Sequence, residues 1–138
     1  MIGENDRAYL VDALVSNRAV LFLGAGFSMG ATNKAGANIP NGGRLAESLW
    51  EFCEFKEPYN GTPLARMYDA ALASAKGHDA LSRFLDQHLA AADVPNWYDE
   101  IAKYYWYRIY TTNFDNVVEV AISEEQRRPQ ARPADLAQ

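Results

Sequence analysis

The period of the hydrophobic positions changes several times along the chain, and each change marks an element. From about Asp6 to Asn17, Tyr9, Leu10, Ala13 and Leu14 fall on one helical face, and Asn17 with Arg18 ends the run. Ala19 to Leu23 is apolar with no polar alternation, which predicts a short strand covered on both faces in a parallel sheet. Gly24 to Gly43 has the composition of a loop, rich in glycine with one proline, around a single helical turn after Gly26. From Arg44 to about Phe55 the residues Leu45, Leu49, Phe52 and Cys53 make the stripe of a packed helix. A second stripe is Leu64, Tyr68, Ala71, Leu72 and Ala75. A third is Leu81, Phe84, Leu85, His88 and Leu89, with Gly77 as the break between the two.

Pro95 and Asn96 open a short aromatic helix carrying Trp97, Ile101 and Tyr104, and a second strand runs from Tyr107 to Thr111. Asp115 is placed to cap a last helix with Val117, Val118, Val120 and Ala121. Beyond Ser123 the chain turns to Glu, Gln, Arg, Pro and Ala, the composition of a flexible tail or linker at 125–138. Only two strands emerge, and two strands do not make an independently stable sheet. The expected fold is therefore α/β: a Rossmann-like parallel sheet with helices on both faces and a helical insert, incomplete within 1–124.

Composition narrows the class. With 138 residues, 49% hydrophobic and 12% aromatic, the chain has enough apolar material for a real core. A formal net charge of -5 supplies no overall basic field, so neither direct nucleic-acid binding nor attachment to an anionic membrane is expected. The single cysteine, Cys53, allows no internal disulfide and no thiolate cluster for zinc, and it sits on an apolar stripe as packing. The N-terminus has neither the basic start nor the apolar run of a signal peptide, so a cytoplasmic protein is expected.

The candidate chemistry lies at the ends of the two strands. The first closes on Gly24-Ala25-Gly26-Phe27-Ser28 and the second on Thr111-Thr112-Asn113-Phe114-Asp115. A strand that ends in glycines and passes into a helix lets backbone N–H groups approach a phosphate, because no Cβ intervenes and the helix dipole favours negative charge. An amide and a carboxylate at the neighbouring strand end add polar groups where open α/β sheets bind ligands.

These two segments, with Ile39-Pro40 between them, resemble the sirtuin (silent information regulator) superfamily. The likeness covers roughly residues 7 to 123 and is closer to the bacterial sirtuin-like NAD-hydrolase branch of antiphage defence than to the protein deacylases. It implies that Gly24, Ala25 and Gly26 line the pyrophosphate and ribose of NAD, with Ser28 at the start of the following turn. It implies that Thr112 touches the nucleotide, Asn113 lies beside the nicotinamide ribose and the attacking water, and Asp115 takes the nicotinamide amide. NAD is then the substrate, no metal is involved, and the protein acts as a homo-oligomer or with a partner defence protein. The family also supplies a histidine after the Asn/Asp strand, whereas His78 and His88 both precede it here. The expectation is the N-terminal portion of a longer NAD hydrolase, inactive by itself.

Other readings stay open on the residues alone. Gly24 and Gly26 suit a tight strand-to-helix turn, and Asn113 and Asp115 suit an ordinary turn and N-cap. A non-catalytic module that senses NAD or ADP-ribose, or organises an assembly, is the main alternative. The deacylase reading is weakened by the missing zinc cysteines. A dehydrogenase reading is weakened because Gly24 to Gly30 is one residue too long for the dinucleotide fingerprint. His88 reads as a hydrogen-bonded core or boundary residue, the cluster Trp97, Tyr98, Tyr104, Tyr105, Trp106 and Tyr107 as packing rather than base stacking, and Arg127, Arg128 and Arg132 as a solvated linker.

Overall fold

A computed structural model describes residues 3–123. The expected tail at 125–138 lies outside the described residues. The chain is mixed α/β and divides into two compact units, one made of residues 3–28 and 94–123 and the other of residues 29–93.

The first unit opens with α1 (Glu4–Val15) and β1 (Val20–Leu23), followed by the single turn α2 (Ala25–Ser28). None of the residues of α1 is buried, and Tyr9 is 78% exposed. The packed face expected from Tyr9, Leu10, Ala13 and Leu14 is thus reduced to the partial burial of Ala13 and Leu14. The helix stops at Ser16, because Asn17 takes a left-handed φ of 54° and Arg18 and Ala19 fold back onto the Ala13 carbonyl.

The second unit holds β2 (Thr32–Asn33), α3 (Gly42–Phe52), α4 (Leu64–Leu72), α5 (His78–Leu89) and β3 (Ala91–Asp93). Its three helices are the three apolar stripes, and they meet in a core of Leu45, Ala46, Leu49, Met67, Ala71 and Leu81. Asn41 starts α3 by accepting the Arg44 N–H at 3.0 Å, an N-cap of the expected chemistry. The helix ends at Phe52 rather than Phe55, since Glu54 adopts φ 59° and Phe55 turns back to lie 4.6 Å from the Trp50 ring. Gly77, at φ 80°, supplies the left-handed residue that lets α5 begin. The antiparallel pair β2–β3 falls within segments that read as loop. Within it the buried Asn33 fixes the turn that follows: its Oδ1 accepts the Ala35 and Ala37 N–H groups, and its Nδ2 donates to the His88 carbonyl at 3.1 Å near the end of α5.

The chain then returns to the first unit with α6 (Tyr98–Ala102), β4 (Arg108–Thr111) and α7 (Val117–Ser123). β1 and β4 pair in parallel, with Val20 opposite Arg108 and Leu23 opposite Thr111, a two-stranded sheet flanked by helices. β1 is not covered on both faces as its unbroken apolar run suggested. Leu23 is buried, but Phe22 is 72% exposed and stacks on Tyr110 at 5.4 Å on the open face. The reason is alternation: successive side chains leave a strand on opposite faces, and only one face of this sheet is covered among the described residues. In the aromatic helix the buried residue is Tyr98 rather than Trp97. No described helix is long and apolar enough to cross a membrane.

Candidate functional site

Parallel pairing brings the C-terminal ends of β1 and β4 side by side, and the sheet ladder continues one step beyond them, with the Thr112 N–H on the Leu23 carbonyl at 3.2 Å. That step puts the glycine turn and the Asn/Asp segment next to each other. Asn113, 89 residues after Gly24 in sequence, donates from Nδ2 to the Gly24 carbonyl at 3.0 Å. The same Nδ2 donates to Ser28 Oγ at 2.8 Å, and Ser28 Oγ in turn donates to Asp115 Oδ1 at 2.8 Å. Ser28, only 2% exposed, is the hub that joins the other two side chains.

Local geometry explains each position. Thr111 Oγ1 accepts the Asn113 N–H at 3.0 Å and bends the chain as it leaves β4. Asp115 Oδ1 also accepts the Val117 N–H at 3.1 Å, so this carboxylate caps the start of α7 as well as holding Ser28. Phe27 is held by its own N–H on the Gly24 carbonyl at 2.9 Å and by the Tyr98 hydroxyl, which donates to its carbonyl. Burial raises the pKa of Tyr98 above the ordinary tyrosine value, and the nearby charge of Asp115 adds to the rise.

The glycines behave differently from glycines that a turn requires. Neither Gly24 nor Gly26 has a positive φ, and a Cβ built on either would meet nothing within 4 Å. Backbone strain therefore does not explain their presence, whereas an unobstructed backbone does suit close approach by a ligand. Gly24, Ala25, Gly26 and Thr112 are exposed, and Asn113 and Asp115 are half-buried. Among the described residues Asn113 Oδ1 and Asp115 Oδ2 take no hydrogen bond, so the site offers two acceptors beside exposed backbone.

All seven expected site residues thus belong to one unit and one neighbourhood. The histidines belong to the other unit. His78 is exposed at the start of α5, and His88 stacks on Phe84 at 4.1 Å with Nδ1 on the Phe84 carbonyl at 2.8 Å, both within the helical unit. Cys53 is half-buried against the helical core, and burial raises its thiol pKa although Lys76 pulls it down. No cluster of His, Cys, Asp and Glu suited to a metal ion occurs among the described residues.

One contributor, Tyr98, is not picked out from sequence, and another, Ser28, has a larger part than the sequence indicates. Tyr98 was visible only as one member of an aromatic run, because helical spacing favoured Trp97, Ile101 and Tyr104. The dual role of Ser28 has no pattern of its own, since a serine after a glycine turn is common. Comparison of the chain with protein-family models, with curated proteins and with solved structures finds no match.

Proposed function

We propose that this chain carries the NAD site of a sirtuin-like NAD hydrolase with a Rossmann-like sheet, splitting NAD into nicotinamide and ADP-ribose in antiviral defence. The observation that carries the reading is the hydrogen-bonded union of Gly24, Ser28, Asn113 and Asp115, two distant motifs meeting at the ends of paired parallel strands. Cleavage of the nicotinamide–ribose bond develops positive charge on the ribose, while nicotinamide leaves as a neutral molecule. An amide oxygen and a carboxylate fixed beside that bond favour the charged transition state over the ground state. Asn113 Oδ1 would accept from the attacking water or a ribose hydroxyl, Asp115 Oδ2 would accept the nicotinamide amide, and the backbone from Gly24 to Gly26 would meet the pyrophosphate.

In the full protein, Asn113→Ala is expected to lower NAD consumption on the order of 100-fold, the scale for losing one preorganised polar group. Nicotinamide release measured beside a thermal melt checks this. Turnover retained in a folded mutant defeats the assignment. Since His78 and His88 both precede the Asn/Asp strand, whereas sirtuin-like proteins supply a histidine after it, the 138 residues alone are expected to release no nicotinamide over multiple turnovers.

One observation favours a second reading. Asn113 Nδ2 and Asp115 Oδ1 are already committed to protein partners, as in a rigid binding module that senses NAD or ADP-ribose without cleaving it. Calorimetry giving tight NAD binding and no hydrolysis by the full protein would select that reading.

A further inference from the structure

We propose that Tyr98 is a positioning residue: its hydroxyl, donating to the Phe27 carbonyl, holds the glycine turn where Ser28 can bridge Asn113 and Asp115. The proposal deepens the NAD-hydrolase reading and rests on it for its turnover measurement. α2 is a single turn of four residues, too short to be stable through its own hydrogen bonds. Its shape must come from outside, and the largest wholly buried side chain among the described residues, Tyr98 at 1% exposure, lies against it.

The contacts are directional. The Tyr98 ring meets the Phe27 ring edge-on at 4.6 Å, and Trp97 stacks on Tyr98 at 3.9 Å. A buried tyrosine needs a partner for its hydroxyl, and here the partner is the carbonyl one residue before the hub serine. α6 therefore reaches the turn carrying Ser28 through Tyr98 and, as a helix, packs on α7, whose first turn Asp115 caps. A tyrosine hydroxyl is protonated through the neutral range, and burial raises its pKa further, so Tyr98 stays a donor. Phenylalanine would preserve the ring contacts but leave the Phe27 carbonyl without its donor.

The test is Tyr98→Phe in the full protein, read by the kcat and KM for NAD and by hydrogen exchange of the Asn113 side-chain amide in NMR. The expected result is about tenfold faster exchange and about tenfold lower kcat, the scale of one hydrogen bond, with KM little changed. A lower melting temperature with Asn113 exchange and kcat at wild-type values would overturn the proposal by making Tyr98 structural only. Failure of the variant to fold would overturn it in the same way. If wild type consumes no NAD but the exchange still accelerates, positioning stands and the hydrolase reading falls.

Discussion

Each unit buries a polar side chain, Asn33 in the helical unit and Ser28 in the other, but the interiors around them differ. The helical unit buries aliphatic side chains at helical spacing, Leu45, Leu49, Met67 and Leu81 among them, and keeps its charges outside, as with Lys76 on Glu54 at 2.8 Å. The unit with the strand ends buries a serine hydroxyl and a tyrosine, yet leaves Phe22 exposed and Phe114 80% exposed. A buried polar group costs stability unless it is hydrogen-bonded, so Ser28 persists there only because Asn113 and Asp115 satisfy it. The contrast is between a unit centred on an aliphatic core of three helices and one whose buried serine is held between an amide and a carboxylate.

The sharpest way to break that contrast begins in the helical core. Leu49 is fully buried, and Leu49→Ala should destabilise the protein by about 2–5 kcal/mol through lost transfer energy and a residual cavity, as read by denaturant unfolding. If the units are as distinct as their interiors, NAD binding under folding conditions should survive this change.

Ser28→Ala asks the converse question and should have a smaller effect on stability. It removes the partner shared by Asn113 Nδ2 and Asp115 Oδ1, for a loss of about 1–3 kcal/mol. Each of those atoms keeps one other partner, which places the loss toward the lower end. The accompanying fall in NAD affinity, measured by calorimetry, should exceed that of Leu49→Ala. Equal affinities would erase the distinction between the units.

The smallest stability change is expected at Gly26. Its φ is ordinary and a Cβ would meet no atom, so Gly26→Ala should stabilise the fold by no more than about 1 kcal/mol, the usual gain in a helical turn. On the proposed NAD reading the methyl group would nevertheless stand where the pyrophosphate approaches. Weaker NAD binding in a protein that melts no lower than wild type would sharpen the assignment, and unchanged binding would mark the glycine as incidental.

How much of this was legible in sequence differs between the units for the same reason. The three helical stripes were readable because each helix buries one face, and hydrophobic spacing records that directly. The fraying of that signal at Glu54, where a left-handed residue ends α3 before Phe55, depends on one backbone angle that spacing does not carry. The short pair β2–β3 was invisible because it is only two and three residues long and Thr32-Asn33 and Ala91-Ala92-Asp93 carry no apolar alternation. α1 misled in the other direction: Tyr9, Leu10, Ala13 and Leu14 share a face, but Ala8, Val11 and Val15 lie off it, and of all these only Ala13 and Leu14 are even partly buried.

For the site, sequence by itself determined the ingredients: two strands, a glycine turn at the end of one, an amide and a carboxylate at the end of the other. Tertiary structure decided that the strands pair in parallel and in a register that brings Asn113 onto Gly24, and that Ser28 and Tyr98 are the residues holding the arrangement. The physical reason is that composition and periodicity encode local conformation and burial, whereas a hydrogen bond between residues 89 apart depends on how the chain returns.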